Sequence, residues 1–462
     1  MNLSERLIRL YDVLTLTPFD KSSEIGRSNE RYRLIALSTS SSVVSKAFTS
    51  LIGFITVPLT INYLGKEQFG LWMVVSSLVA FIQLTDFGVS NGLTNALAEA
   101  NGKNDRQAAK GYFSSALVAM LGMSILSLLP ITLLALLLPW GSILKIQDPV
   151  LVPLAGECFL VAGVIFVISL PISIVNRVYV AYQLGYITNL IQLISAIFSI
   201  VGVLIAIKFH LSLHWLVFLV SIGPLMGNLI AWAFLHKLIP WCRLEWKSIT
   251  RSTLARVAHS SVPLFIFQIG ALLVNQLVNV ILARVGTLSM VTDYNLLLKI
   301  YMLIFSFGIS FSTPFYAAIR DAYEKSEKDW VLRSVRKVIY IRLAVVIVPC
   351  MLLVVLGDRL ILLWVHQPLS SEFGFFGWTT FLLCAMLTST SSTVSEILTS
   401  LDDIWSQIKM VFLSAAIVIL FISVLTPRIG LMAIYIAFSL SSIYPIYWCF
   451  GRLTLKFKSN LF

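Results

Sequence analysis

Six ionisable side chains stand inside stretches that are otherwise apolar: Lys46, Asp86, Glu157, Lys299, Arg342 and Glu396. A charge in hydrocarbon costs at least ~2.5–3.5 kcal/mol on insertion scales, so such groups belong on a bundle interior or the wall of a watery cavity. For Lys46 and Lys299 the favoured reading is functional. Arg342, like Arg177, can instead reach the cytoplasmic headgroups on its long stem, which is the weightier reading for both, and Glu157 can reach outer water. Asp86 and Glu396 lie near the inner ends of their stretches, where each can pair with a cation or titrate as a coupling-ion site; with Arg342 they are the coupling or gating candidates. Helical phase extends the set, since residues at i, i+3 or i+4, i+7 and i+11 share a face. Gln83, Asp86, Ser90 and Thr94 do so, as do Gln268, Asn275 and Asn279, then Lys299, Ser306 and Ser310, and finally Ser389, Ser392, Thr393, Glu396 and Ser400. Such stripes can wall a hydrated cavity. For the Ser and Thr positions, hydrogen bonding between packed helices is the weightier reading.

The elements that must position these residues follow from composition. Of 462 residues 58% are hydrophobic and 12% charged, with a mean hydropathy of +0.89, against ~45–50% and ~25% in soluble domains. One water-soluble core cannot hide that much apolar surface, so the solvent is lipid. Twelve stretches reach the ~20 residues a membrane helix needs, at 34–61, 69–91, 111–139, 150–175, 187–207, 213–236, 259–283, 292–319, 338–364, 373–400, 404–426 and 430–450. An all-α polytopic protein of twelve transmembrane helices is predicted.

An even number of crossings puts both termini on one side, and sorting the 34 Lys and Arg by face gives 25 against 6, with Lys46, Lys299 and Arg342 inside spans. The richer face is cytoplasmic. The net charge of +12 therefore reports orientation and does not call for nucleic acid. The chain divides into a basic cytoplasmic tail (1–33), a first half of six spans (34–236), a cytoplasmic linker (237–258), a second half of six spans (259–450) and a short cytoplasmic tail (451–462). Residues 237–258 and 320–337 read as basic amphipathic linkers at the headgroups. Residues 3–16 carry Leu3, Leu7, Leu10 and Leu14 at helical spacing, fitting an interfacial helix or a mobile basic tail equally well.

Nothing in residues 1–33 resembles a cleavable signal, so the first span serves as the targeting signal. The five cysteines show no CxxC or Cys/His spacing and read as small core hydrophobes, with no metal site or disulfide framework. No Walker A sequence is present, and nothing calls for a cofactor. Prolines at 58, 130, 171, 224, 263, 314, 349 and 445 lie within or near span ends and suit a carrier that bends.

The stretch VPLTINYLGKEQFGLW (57–72), followed by LTDFGVSNGLTNALAEANGKND (84–105), resembles the polysaccharide-transporter branch of the MOP superfamily, which includes Wzx-type O-antigen and lipid-linked oligosaccharide flippases. The resemblance rests on Pro58, Leu64, Gly65, Phe69, Gly70, Leu71, Trp72, Asp86, Phe87, Gly88 and Glu99, about 50 residues in all, and length and span number agree over the rest. It implies two six-helix lobes in a V that alternate between inward- and outward-open states. It also implies that undecaprenyl-pyrophosphate-linked oligosaccharide is moved from the inner to the outer leaflet of a bacterial plasma membrane. Partners implied are that substrate, membrane lipids, and the polymerase and chain-length regulator of polysaccharide assembly. Lys46 and Lys299 are the positions that fit the family's cavity cations, as point-charge partners of pyrophosphate. Gln268, Asn275, Asn279 and Gln83 can meet the glycan, and the lipid tail can stay in the bilayer. The rival is a cation-coupled exporter resembling the MATE branch, with Asp86 and Glu396 as coupling sites. A membrane-bound glycosyltransferase, the enzymatic alternative, needs catalytic loops larger than any outer loop here.

Overall fold

In the computed structural model, residues 24–259, 262–324, 328–369, 373–401 and 405–459 are described. They form helices α1 (Glu24–Phe81), α2 (Val89–Gly102), α3 (Arg106–Leu137), α4 (Trp140–Leu144), α5 (Leu151–Ala181), α6 (Gly185–Lys208) and α7 (Leu213–Leu238). After the connection at residues 239–250 follow α8 (Arg251–His259), α9 (Val262–Val285), α10 (Leu288–Glu324), α11 (Lys328–Val365), α12 (Gly374–Ser400), α13 (Trp405–Ile429) and α14 (Met432–Ser459). Among the described residues eleven helical segments are long and apolar enough to cross a membrane, so the chain is a multi-pass membrane protein. The amphipathic stretch at residues 3–16 lies outside the described residues.

The first of those segments, Ala36–Asp86, is 51 residues long, about 75 Å at 1.5 Å per residue and more than twice the ~30 Å hydrocarbon thickness. It is interrupted at Gly65, whose φ of 77° and ψ of 167° are non-helical and open to glycine because it lacks a Cβ. The next break comes at residues 82–88, where a 3-10 turn (Ile82–Asp86) gives way to Phe87 and Gly88 at φ 46° and 77°. The Asp86 side chain accepts the Gly88 N–H at 2.7 Å, and α2 then starts from the Gly88 carbonyl. The predicted stripe Gln83–Asp86–Ser90–Thr94 is thereby corrected: the helix ends before it, so these four residues do not share one α-helical face.

By contact the residues form two compact units. The first comprises residues 1–56, 85–133 and 160–262; the second comprises 57–84, 134–159 and 263–462. In the first, Leu93, Leu97, Phe113, Val178, Tyr179 and Leu235 are fully buried in one apolar cluster, and Tyr179 donates its hydroxyl to the Ala231 carbonyl at 2.8 Å. In the second, Ile319, Val331, Val335, Val338, Val394 and Ile397 form another. That cluster takes in part of residues 320–337, expected from the sequence as a separate amphipathic linker. Apart from 325–327 they belong to α10 and α11, because Val331, Val335 and Val338 recur at helical spacing and bury against α12. All five cysteines are buried thiols outside any disulfide.

Candidate functional site

The candidate site is built within the second unit. The C-terminal part of α1 beyond Gly65 meets the start of α10: the Lys66 ammonium reaches Asp293 Oδ1 at 2.6 Å and the Pro368 carbonyl at 2.8 Å. Thr292 Oγ1 donates to the Lys66 carbonyl at 2.5 Å, and the Asp293 side chain keeps 1% of its exposure. Gly70 lies so near the Leu288 carbonyl that a Cβ there would sit 2.0 Å from its oxygen. The sequence pattern that marks Leu64, Gly65, Phe69 and Gly70 thus specifies a bend followed by a close helix approach.

Beside this contact α1, α9 and α10 enclose a cavity of about 590 Å³. Five amide side chains line it: Gln268, Asn275, Gln276, Asn279 and Asn295. Asn279 donates to Ser77 Oγ at 2.7 Å and accepts from Asn295 Nδ2 at 2.9 Å, which fixes both amide orientations. Asn275 donates to its own helix at the Ala271 carbonyl, 2.8 Å away, so its carbonyl oxygen is available to a ligand. The Gln268 and Gln276 side chains make no protein hydrogen bond among the described residues. The arrangement offers donors and acceptors without charge, which suits a ligand dense in hydroxyl groups. Three residues predicted from one stripe, Gln268, Asn275 and Asn279, are brought together here. Gln83 is exposed on the 3-10 turn and is not among the lining residues. Asn295, Gln276 and Ser77 were not predicted; Asn295 and Gln276 were legible only as buried-helix amides, and Ser77 needs a pairing 202 residues long.

Lys299 is half-buried on α10. It falls in sequence between Asn295 and Met302, which line the cavity, but is not itself among the lining residues. Lys46 belongs to the first unit and is exposed; Ser42, Thr49 and Ser50, one turn away, make its side of α1 polar. The neighbouring Ser45 is buried and donates to the Asn189 carbonyl at 2.8 Å.

Two coupling candidates prove to be engaged. Arg342 does not extend to the headgroups. Its side chain is 1% exposed and ion-paired with Glu396, Nη1 to Oε2 at 2.8 Å and Nη2 to Oε1 at 3.1 Å. Tyr316 donates its hydroxyl to Glu396 and accepts from Arg342 Nη1 at 3.1 Å, while the guanidinium carbon lies 4.9 Å from the Phe305 ring centre. The reason is partner geometry: a carboxylate and a phenol one helix away satisfy the guanidinium better than a stretch to the interface. Asp86 is buried in its own turn, and its charge acts on half-buried Arg177. Of the other stripes, Thr393, Ser392, Ser400 and Ser306 donate to carbonyls of their own helices; the Ser310 side chain lies outside the described residues. No group of three or more metal-ligating side chains occurs among the described residues.

Where α8 meets the end of α2, Glu99 on α2 accepts from Lys103 at 2.7 Å and from Arg256 on α8 at 2.5 Å. These two cations hold its carboxyl down to about 2.

An uncharged amide cavity thus lies among helices long and apolar enough to cross a membrane. Residues 35–319 match the family model described as polysaccharide biosynthesis protein. The chain belongs to that family, which bears out the resemblance to the polysaccharide-transporter branch of the MOP superfamily. It is 21% identical over 320 residues to the uncharacterized membrane protein EpsK of Bacillus subtilis (strain 168), covering 68% of this chain and 62% of that protein, so the match spans less than two thirds of the relative's length. It is 22% identical over 326 residues, 69% of this chain and 72% of the relative, to a Yersinia pseudotuberculosis protein assigned provisionally to O-antigen export. Among solved structures, an inward-facing multidrug resistance MATE transporter of the MOP superfamily superposes with a TM-score of 0.73 at 12% identity, covering 90% of this chain and 99% of that one. The lipid II flippase MurJ gives 0.68 at 13% identity, covering 90% and 88%. These likenesses give the fold.

Proposed function

We propose that this protein is a flippase that moves undecaprenyl-pyrophosphate-linked oligosaccharide from the inner to the outer leaflet of a bacterial plasma membrane by alternating access. The observation that carries the reading is the cavity of about 590 Å³ walled by five amides, in a chain of the polysaccharide biosynthesis family. Amides present paired donors and acceptors that match vicinal hydroxyls, and an uncharged wall binds glycan without trapping it. Lys46 and Lys299 are assigned to the pyrophosphate, whose charge cannot cross hydrocarbon without a cationic partner. In this reading the 51-residue first segment makes two crossings, for twelve in all with both termini in the cytoplasm; the break at Gly65 supports the count and the 25 to 6 division of cations supports the orientation. Cation-coupled export of drugs or metabolites is the less supported reading, because both of its coupling carboxylates are engaged: Asp86 holds Gly88, and Glu396 holds Arg342 and Tyr316.

The test is made in a strain whose surface polysaccharide depends on this chain. Lys46→Ala and Lys299→Ala, each present at normal membrane level, are expected to lower surface polymer at least tenfold. Full polymer in both variants overturns the phosphate assignment.

A further inference from the structure

A second cavity, of about 340 Å³, lies in the second unit among α9, α10, α12, α13 and α14, within the ~300–1,000 Å³ range of small-molecule sites. It shares Ala271, Asn275, Leu298 and Met302 with the amide cavity, so the two are contiguous. None of its lining residues is charged. Its wall combines aromatic rings with hydroxyls. Tyr301 stacks on Phe305 with centroids 5.5 Å apart, and Phe381 packs edge-on to Tyr435 at 5.2 Å. Most of the hydroxyls spend their protons on the protein: Thr388 donates to the Cys384 carbonyl at 2.7 Å, Ser392 to Ser389 at 2.9 Å, Ser442 to Phe438 at 2.8 Å, and Ser395 to Gln407 Oε1. Their oxygen lone pairs remain as acceptors, except that one on Thr388 is taken by the Tyr301 hydroxyl at 2.9 Å. Tyr435 keeps an unspent proton: it is 6% exposed, it lines the cavity, and its hydroxyl has no hydrogen-bond partner among the described residues.

A hydrocarbon occupant would leave that phenol and the row of acceptors unsatisfied, a cost that buried polar groups rarely bear. A charged occupant would meet no counter-ion. A pyranose has what the wall lacks: apolar ring faces to lie on aromatic rings, rim hydroxyls to donate to Ser and Thr oxygens, and an oxygen to accept from Tyr435. We infer that this chamber is a subsite for an uncharged sugar unit of the substrate, and that it discriminates against carboxylated sugars. The inference rests on the flippase reading for its biological substrate, but the binding it predicts does not require transport.

Saturation-transfer NMR on the full chain in lipid nanodiscs tests it, with lactose and N,N′-diacetylchitobiose as neutral probes, cellobiouronic acid as the carboxylated probe and farnesol as the apolar one. Both neutral disaccharides are expected to receive saturation from the wild type, at least threefold less in Tyr435→Ala and in the milder Thr388→Val, with the uronate receiving at most a tenth of the neutral signal. Unchanged neutral signals in both variants, equal signals for the uronate, or farnesol displacing the disaccharides overturn the assignment. Sugar binding at the chamber without movement of a polyprenyl-linked glycan defeats the flippase reading and leaves the subsite standing. Movement with unaltered binding in the chamber variants does the reverse.

Discussion

Removing Glu396 while keeping Arg342 leaves a guanidinium that is 1% exposed without its anion. Tyr316 then offers only its oxygen, the Phe305 ring lies 4.9 Å away, and Nε already lacks an acceptor among the described residues. Breaking a buried pair from one side costs ~3–5 kcal/mol, and since the Glu396 side chain retains 31% exposure, water screens part of the attraction and the low end, about 3 kcal/mol, applies to Glu396→Leu. For a body of ~150–250 residues that is a fall of about 6–12 °C in Tm. Arg342→Met combined with Glu396→Leu removes both charges, and such replacements by apolar residues are close to neutral. The double variant is therefore expected to regain most of the loss, within about 1 kcal/mol of the wild type. Thermal unfolding of the purified protein in detergent, followed by tryptophan fluorescence, provides the cycle. A Glu396→Leu shift under about 2 °C, or a double variant that loses the sum of the singles, refutes the reasoning.

Two further outcomes follow from contacts outside that pair. Gly70→Ala places a methyl 2.0 Å from the Leu288 oxygen; overpacking of this kind costs ~1–3 kcal/mol or more, so the same melt is expected to fall, while Gly102→Ala, with nothing within 4 Å of its Cβ, serves as the control. Glu99 is held at about 2 by Lys103 and Arg256, so its tether on α8 is fully present above the ordinary 4.5 and is lost as pH falls through about 2. Hydrogen exchange corrected for intrinsic rate is expected to show α8 amides losing protection from pH 5 to pH 2.5, and the same step in Glu99→Gln would contradict the assignment.

The membrane helices were legible because runs such as 111–137 and 151–175 are too apolar to be anything else, and Gly65 and the Asp86–Gly88 turn mark their breaks with residues chosen for φ above zero. The breaks themselves bend what periodicity treats as straight, which is why Asp86 was placed on a stripe that the backbone does not form. Arg342 was misplaced for another reason: whether a long cation stretches to the interface or pairs inside is decided by Glu396 and Tyr316, 54 and 26 residues away. Gln268, Asn275 and Asn279 could be grouped because they share one helix. Ser77 and Asn295 could not, since their contacts with Asn279 cross helices and leave no period in the sequence. The aromatic chamber was invisible because five helices each contribute a few residues that resemble ordinary core.

The central claim is movement of a lipid-linked glycan, and reconstitution measures it directly. Purified protein is incorporated into liposomes carrying a fluorescent undecaprenyl-pyrophosphate-linked oligosaccharide in both leaflets, and a membrane-impermeant glycosidase reports the fraction that becomes accessible with time. Protein-containing vesicles are expected to expose the inner pool, and the Lys46→Ala, Lys299→Ala double variant at most a tenth as much in the same interval. Accessibility that stays at the level of protein-free vesicles, or that is equal in wild type and double variant, contradicts that claim.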